Sequence, residues 1–154
     1  MIGLIVMHCL ENMRTSIEEK VFDNIKHVLH HNQHAVLGTR LERKDVRELV
    51  SNCADVDLMQ EHNKPILKDW IVSNDIDSVF IMGLHYNLCV RHIESRLFEI
   101  SREIGKRWEN DFRVNVLEEC TAVIHDGKVL TMQEYARNHK VTRTIKLEQW
   151  MNTL

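Results

Sequence analysis

From Val79 to Met82 the chain is apolar without a break, Gly83 ends the run, and a helical pattern opens near Leu88 after a short polar bend. In that pattern Val90, Ile93, Leu97, Ile100 and Ile104 recur at intervals of three and four, which places them on one face of a helix. The stretch therefore predicts a buried strand that feeds a helix through a tight turn. Cys89 falls in the first helical turn, where unpaired backbone N–H groups and the helix dipole favour a thiolate. In an α/β sheet such a turn lies at the carboxyl end of a strand, where ligand crevices form.

The rest of the chain repeats this alternation. Gly3 to Met7 is a continuous apolar run, as expected of a central parallel strand covered on both faces. Thr15 to about His30 predicts a helix with Ile17, Val21, Phe22, Ile25, Val28 and Leu29 on one face and capping-box spacing at Ser16 and Glu19. A short strand is expected at Ala35 to Leu37, a charged helix from Leu41 to Val50, and a helix opened by Pro65 and running to about Ser73. Beyond the long helix, Phe112 to Leu117 alternates as a strand and Thr121 to Ile124 is a further short one. Asp126-Gly127 marks a turn, and Thr131 with Glu134 opens a small capped helix. Strand and helix in alternation predict an α/β fold of three layers, with a mostly parallel, Rossmann-like sheet. With 154 residues and no repeats or linker-like stretches, residues 1–154 form one domain.

Charge narrows the partners. The 20 Lys and Arg are outnumbered by 23 Asp and Glu, so no basic field favours nucleic acid. On the helix after Cys89, Arg91, Arg96 and Arg102 alternate with Glu94, Glu99 and Glu103, the pattern of an ion-paired, solvated face. The apolar start, Ile2 to Met7, is too short for a signal peptide or a membrane span. The four widely spaced cysteines (Cys9, Cys53, Cys89 and Cys120) form neither a CxxC pair nor a disulfide framework, and a reduced, cytoplasmic protein is expected. Cys9 and Cys120 read as core residues near strand ends. His30, His31 and His34 stand at a helix end, where a cationic side chain suits the dipole, and no metal site or cofactor is expected of them. Trp70, Trp108 and Trp150 read as core or core-edge residues, or as anchors for a partner if exposed.

Three segments carry a likeness to a known family. Gly3 to Met13 is similar to an opening strand written L-L-V-I-D-M-Q-N-D-F, and Ile76 to Val90 to the pattern I-D-x-V-x-x-x-G-x-x-T-D-x-C-V. Phe112 to Ala122 is similar to F-x-V-x-V-L-x-D-A-x-A. Together they resemble the isochorismatase-like (cysteine hydrolase) superfamily, which includes nicotinamidases and small-amide hydrolases. The resemblance implies an Asp that acts as base at the end of the first strand, a Lys that helps to stabilise charge, and a Cys nucleophile beside backbone oxyanion donors. Cys89 matches the nucleophile, but the Asp position falls on His8. The Lys position falls near Val56, between Asp55 and Asp57; Lys44 precedes it and Lys64 follows it. Tyr86 and Asn87 stand where the family has Thr-Asp, which places them as substrate-binding residues. The metal-binding Asp-x-His of nicotinamidase-like members has no counterpart in Arg40 to Asp45.

Two functions are open on this reading. One is a divergent hydrolase that cleaves a small amide or related C–N bond through Cys89, with His8 or His85 as its partner. The other is a catalytically degenerate member that serves as a binding or oligomeric interaction module. The resemblance also implies self-association into a dimer or larger homo-oligomer.

Overall fold

The computed structural model describes residues 1–153. Strand β1 (Ile2–Cys9) leads through helix α1 (Ser16–His30) to β2 (Ala35–Leu41), the short helix α2 (Lys44–Arg47) and β3 (Cys53–Ala54). Helix α3 (Lys64–Ser73), strand β4 (Ser78–Gly83), helix α4 (Cys89–Glu103) and β5 (Arg113–Leu117) follow. The chain then forms β6 (Ala122–His125), β7 (Lys128–Thr131), α5 (Met132–Ala136), β8 (Thr144–Ile145) and α6 (Leu147–Met151). Six strands form one sheet in the order β3-β2-β1-β4-β5-β8, and all its pairings are parallel. Strands β6 and β7 form a separate antiparallel hairpin, turned at Asp126 and Gly127, both at positive φ.

The two faces of the sheet are covered by different helices. On one face Val21, Phe22, Ile25 and Val28 of α1 pack with Leu4, Val6 and the fully buried Trp150 of α6. On the other, Leu67 and Trp70 of α3 and Ile93 and Leu97 of α4 pack with Ile5, Met7, Val79 and Ile81. The α/β/α layering therefore follows from alternate side chains of β1 entering opposite cores. The order of the strands reverses between β1 and β4, because the chain winds outward on one side through β2 and β3 and on the other through β5 and β8. The crevice expected of an open α/β sheet lies at the carboxyl ends of these two central strands.

Two local expectations are corrected, and the core reading of the tryptophans holds. The helix expected over Leu41 to Val50 shrinks to α2, because β2 continues to Leu41, which pairs with Cys9 and is buried. The cap of α1 is Thr15 with Glu18 rather than Ser16 with Glu19: the Thr15 hydroxyl accepts from Glu18 N–H and the Glu18 carboxylate accepts from Thr15 N–H. Trp70 and Trp150 are core residues and Trp108 is half-buried. The Thr131–Glu134 capping box forms as the spacing predicts.

Gly83 is fixed by sterics. Its φ is +127°, and a Cβ at this position would collide with the Met7 carbonyl oxygen of the neighbouring strand. Gly105, at φ +74° just beyond α4, would meet nothing within 4 Å. Replacing Gly83 with Ala is expected to cost about 3 kcal/mol or more in urea unfolding, from backbone strain and overpacking together. Gly105→Ala should cost only about 1 kcal/mol, from its left-handed backbone alone.

Candidate functional site

The site begins with an interruption shared by two strands. His8 has φ +54° and Arg40 has φ +52°, both left-handed, and the register places them side by side, between the Met7–Thr39 and Cys9–Leu41 pairs. Each left-handed residue breaks the alternation of its strand. Cys9 and Leu41 consequently join the core on the α1 face, although strict alternation from Met7 and Leu37 would send them to the opposite one. His tolerates this conformation better than most residues, whereas Arg rarely adopts it.

Both side chains converge on one carboxylate. His8 Nε2 lies 3.1 Å from Asp57 Oδ1, and Arg40 Nη1 lies 3.7 Å from Asp57 Oδ2. Asp57 is held in place by its surroundings. Its Oδ1 accepts from Met59 N–H at 3.2 Å, and its carbonyl accepts from Asn63 Nδ2 at 2.8 Å. Thr39 Oγ1 ties the same loop to β2, donating to Val56 O at 2.9 Å and accepting from Leu58 N–H at 3.2 Å. A carboxylate facing Nε2 selects the tautomer with its proton there, which leaves Nδ1 as the basic nitrogen of His8.

Cys89 opens α4 beyond the carboxyl end of β4, the strand next to β1, half-buried. The turn before it leaves the sheet through Gly83 and a cis Leu84–His85 peptide. Leu88 N–H and Val90 N–H both donate to the His85 carbonyl. The Cys89 N–H between them has no backbone acceptor among the described residues. Burial, and then the Asp57 charge, push the Cys89 thiol pKa up; Arg40 and the residue's own N–H pull it down by less. Burial also lowers the His8 pKa below its ordinary 6.5, outweighing the hydrogen bond and charge of Asp57; Arg40 and His85 lower it further. No hydrogen bond joins His8 to the Cys89 sulfur among the described residues, and such contacts are often long in unliganded sites.

The other expected residues are committed to structure. His85 Nε2 lies 2.8 Å from Glu18 Oε2, both side chains buried, while Glu18 Oε1 caps α1. This pair pins the turn that precedes Cys89 to the start of α1. Tyr86 is buried: its hydroxyl donates to Thr142 O and accepts from Thr142 N–H, and Arg91 stacks on its ring. Asn87 bonds both backbone groups of Ile124, which docks the β6–β7 hairpin beside the turn. Lys64 pairs with Glu99 and Glu103 at 3.2 and 2.6 Å, and Lys44 is exposed beside Glu48; neither joins Cys89. His31 caps its own helix by bonding His27 O. Among the described residues no group of three or more His, Cys, Asp or Glu is placed to hold a metal ion, and no helix is long and apolar enough to cross a membrane.

The crystal structure of an isochorismatase from Pseudomonas putida KT2440 matches this architecture with a TM-score of 0.57 at 9% identity, over 88% of this chain and 79% of that one. The fold is isochorismatase-like. No protein-family model matches the sequence. No curated protein matches it either. Asp57, Arg40 and Glu18 are the partners of the candidate residues that the sequence did not single out. The only signal for Asp57 was its place next to the position where the family carries Lys.

Two measurements check this geometry. Between pH 6.5 and its lower native pKa, His8 is protonated in the unfolded chain and neutral in the native one, so stability rises with pH across that window. Lowering the pH below 6.5 should therefore weaken the fold in urea, and the His8 ring should titrate below 6.5 by NMR. Glu18→Ala should cost about 3 kcal/mol, from the lost cap and the buried imidazole left unpaired.

Proposed function

We propose that this chain is a thiol hydrolase of a small amide or related C–N bond, with Cys89 as nucleophile, His8 as general base and Asp57 as the group that orients His8. The observation that carries the reading is the 3.1 Å contact between His8 and Asp57 at the carboxyl edge of the sheet that also presents Cys89. Where the resembling family has an anionic base and a cationic neighbour, this chain has a neutral base backed by an anion. The polarity of the pair is reversed, yet a proton acceptor is kept.

The properties of the groups fit a base-assisted mechanism. A thiol whose pKa is raised is not ionised beforehand, so its proton must leave during attack. A histidine with a lowered pKa stays neutral at pH 7 and can take that proton on Nδ1, directly or through one water, while Asp57 stabilises the imidazolium. The sulfur then bonds to the carbonyl carbon and the Cys89 N–H donates to the oxyanion. Collapse breaks the C–N bond, with the proton passing from His8 to the departing amine. Water activated by His8 hydrolyses the thioester and restores the thiol.

A second reading, binding or self-association without chemistry, draws on the raised thiol pKa and on Ile66, Val72 and Phe98. These apolar residues are 42%, 57% and 40% exposed on α3 and α4. Light scattering that finds a strict monomer at high concentration would count against self-association.

Iodoacetamide labelling of Cys89 across pH decides between chemistry and its absence. The hydrolase predicts a rate above that of a model thiol at pH 7, an inflection below 6.5 that follows His8, and a loss of at least about tenfold in His8→Ala. A single inflection above the ordinary thiol value of 9.0 would reject base assistance.

A further inference from the structure

Several arginines of this protein spend their donors on carboxylates, while Arg47, Arg102, Arg113 and Arg137 make no side-chain ion pair among the described residues; Arg40 is set apart by its place beside His8 and Asp57. Arg43 puts two nitrogens on Glu19 at 2.5 and 3.1 Å, reaches Asp45, and lies over the Phe22 ring; its side chain is 16% exposed. Arg143 bonds Glu94 and Glu109, and Arg107 holds Asp111. Arg40 makes one polar contact among the described residues, the 3.7 Å approach to Asp57 Oδ2, and its side chain is 46% exposed. A guanidinium carries five N–H donors in a planar fork that fits a carboxylate. At 3.7 Å the Asp57 contact satisfies none of them by hydrogen-bond geometry.

The backbone of Arg40 points the same way. A left-handed conformation is strained for a non-glycine residue, and Arg lacks the short polar side chain that relieves it; Arg143, at φ +54°, shares it. Persistent strain of this kind collects at functional sites. Here it falls in register with His8. The cation thus stands on the strand beside the proposed base, over the carboxylate that orients it. Val56 and Leu88, 39% and 47% exposed, immediately precede Asp57 and Cys89, so the loops that carry the site also present apolar side chains.

We infer that Arg40 recognises an anionic group of the substrate, so that the molecule cleaved at Cys89 is a small amide or related C–N compound bearing a carboxylate on a short apolar chain. The inference rests on the site proposed above and names its substrate class. The guanidinium would hold the carboxylate by charge-assisted, bidentate hydrogen bonds and orient the scissile carbonyl toward the sulfur. A neutral amide of the same shape would lose that hold.

Binding can be read without turnover, by NMR titration of the full chain with butyrate and, separately, with its neutral isostere butyramide. Butyrate should shift the Arg40 Nε–H and His8 ring signals saturably, at least about fivefold more tightly than butyramide, and more weakly as salt rises. Arg40→Gln should abolish the preference for butyrate, and Arg40→Lys should retain part of it, with the amide spectrum confirming that each variant is folded. Equal response to the two probes, or an unchanged preference in Arg40→Gln, would overturn the assignment. Preferential butyrate binding in a chain that fails the alkylation profile supports Arg40 as an anion site while rejecting hydrolysis, so the two readings fail separately.

Discussion

The Met7 carbonyl is the point on which the two halves of the sheet meet. Strand β4 runs beside β1 in parallel, pairing Met7 with Gly83, and Leu84 N–H then donates to Met7 O at 3.3 Å. Only a residue without a side chain fits that approach. The contact fixes where β4 leaves the sheet, and hence where the turn carrying His85 and Cys89 must lie relative to His8, one residue past Met7. The buried Glu18–His85 pair and the Asn87–Ile124 bonds then hold that turn from both sides. This end of the sheet is built by backbone packing before any chemical group is considered.

The electrostatics of the crevice depend on one anion. Asp57 is the hydrogen-bond partner of His8, the ion partner of Arg40 and a charge that raises the Cys89 pKa. Such an arrangement does not favour a standing thiolate. It favours a neutral imidazole of fixed tautomer and a protonated thiol, the states that the proposed hydrolysis needs if a proton is to move as attack proceeds. An isochorismatase-like fold determines only where strand ends meet, and function is set by which side chains stand there.

The strand–turn–helix around Gly83 was legible because a continuous apolar run and a three-and-four stripe are local patterns, each set by burial of one segment. The capping boxes at Thr131 and Thr15 have equally local causes, although the latter lies one residue from where spacing alone placed it. Strand β2 was underestimated at its end, since Thr39 and Arg40 are polar neighbours that break the apolar run, and the segment owes its strand conformation to pairing with β1. Tyr86 and Asn87 face the hairpin and the segment at Thr142, contacts between residues 37 and 56 positions apart that no local pattern encodes.

By itself the sequence determined the alternating α/β layout and the position of Cys89 at a helix start. These follow from hydrophobic periodicity. Only the tertiary structure decided that Asp57, 49 residues from His8, completes a pair with it, that His85 belongs to Glu18, and that Arg40 stands beside His8. The physical reason is that a parallel sheet joins its strand ends across long stretches of chain, so the partners of a buried charge are chosen by the register of the strands and not by proximity in sequence.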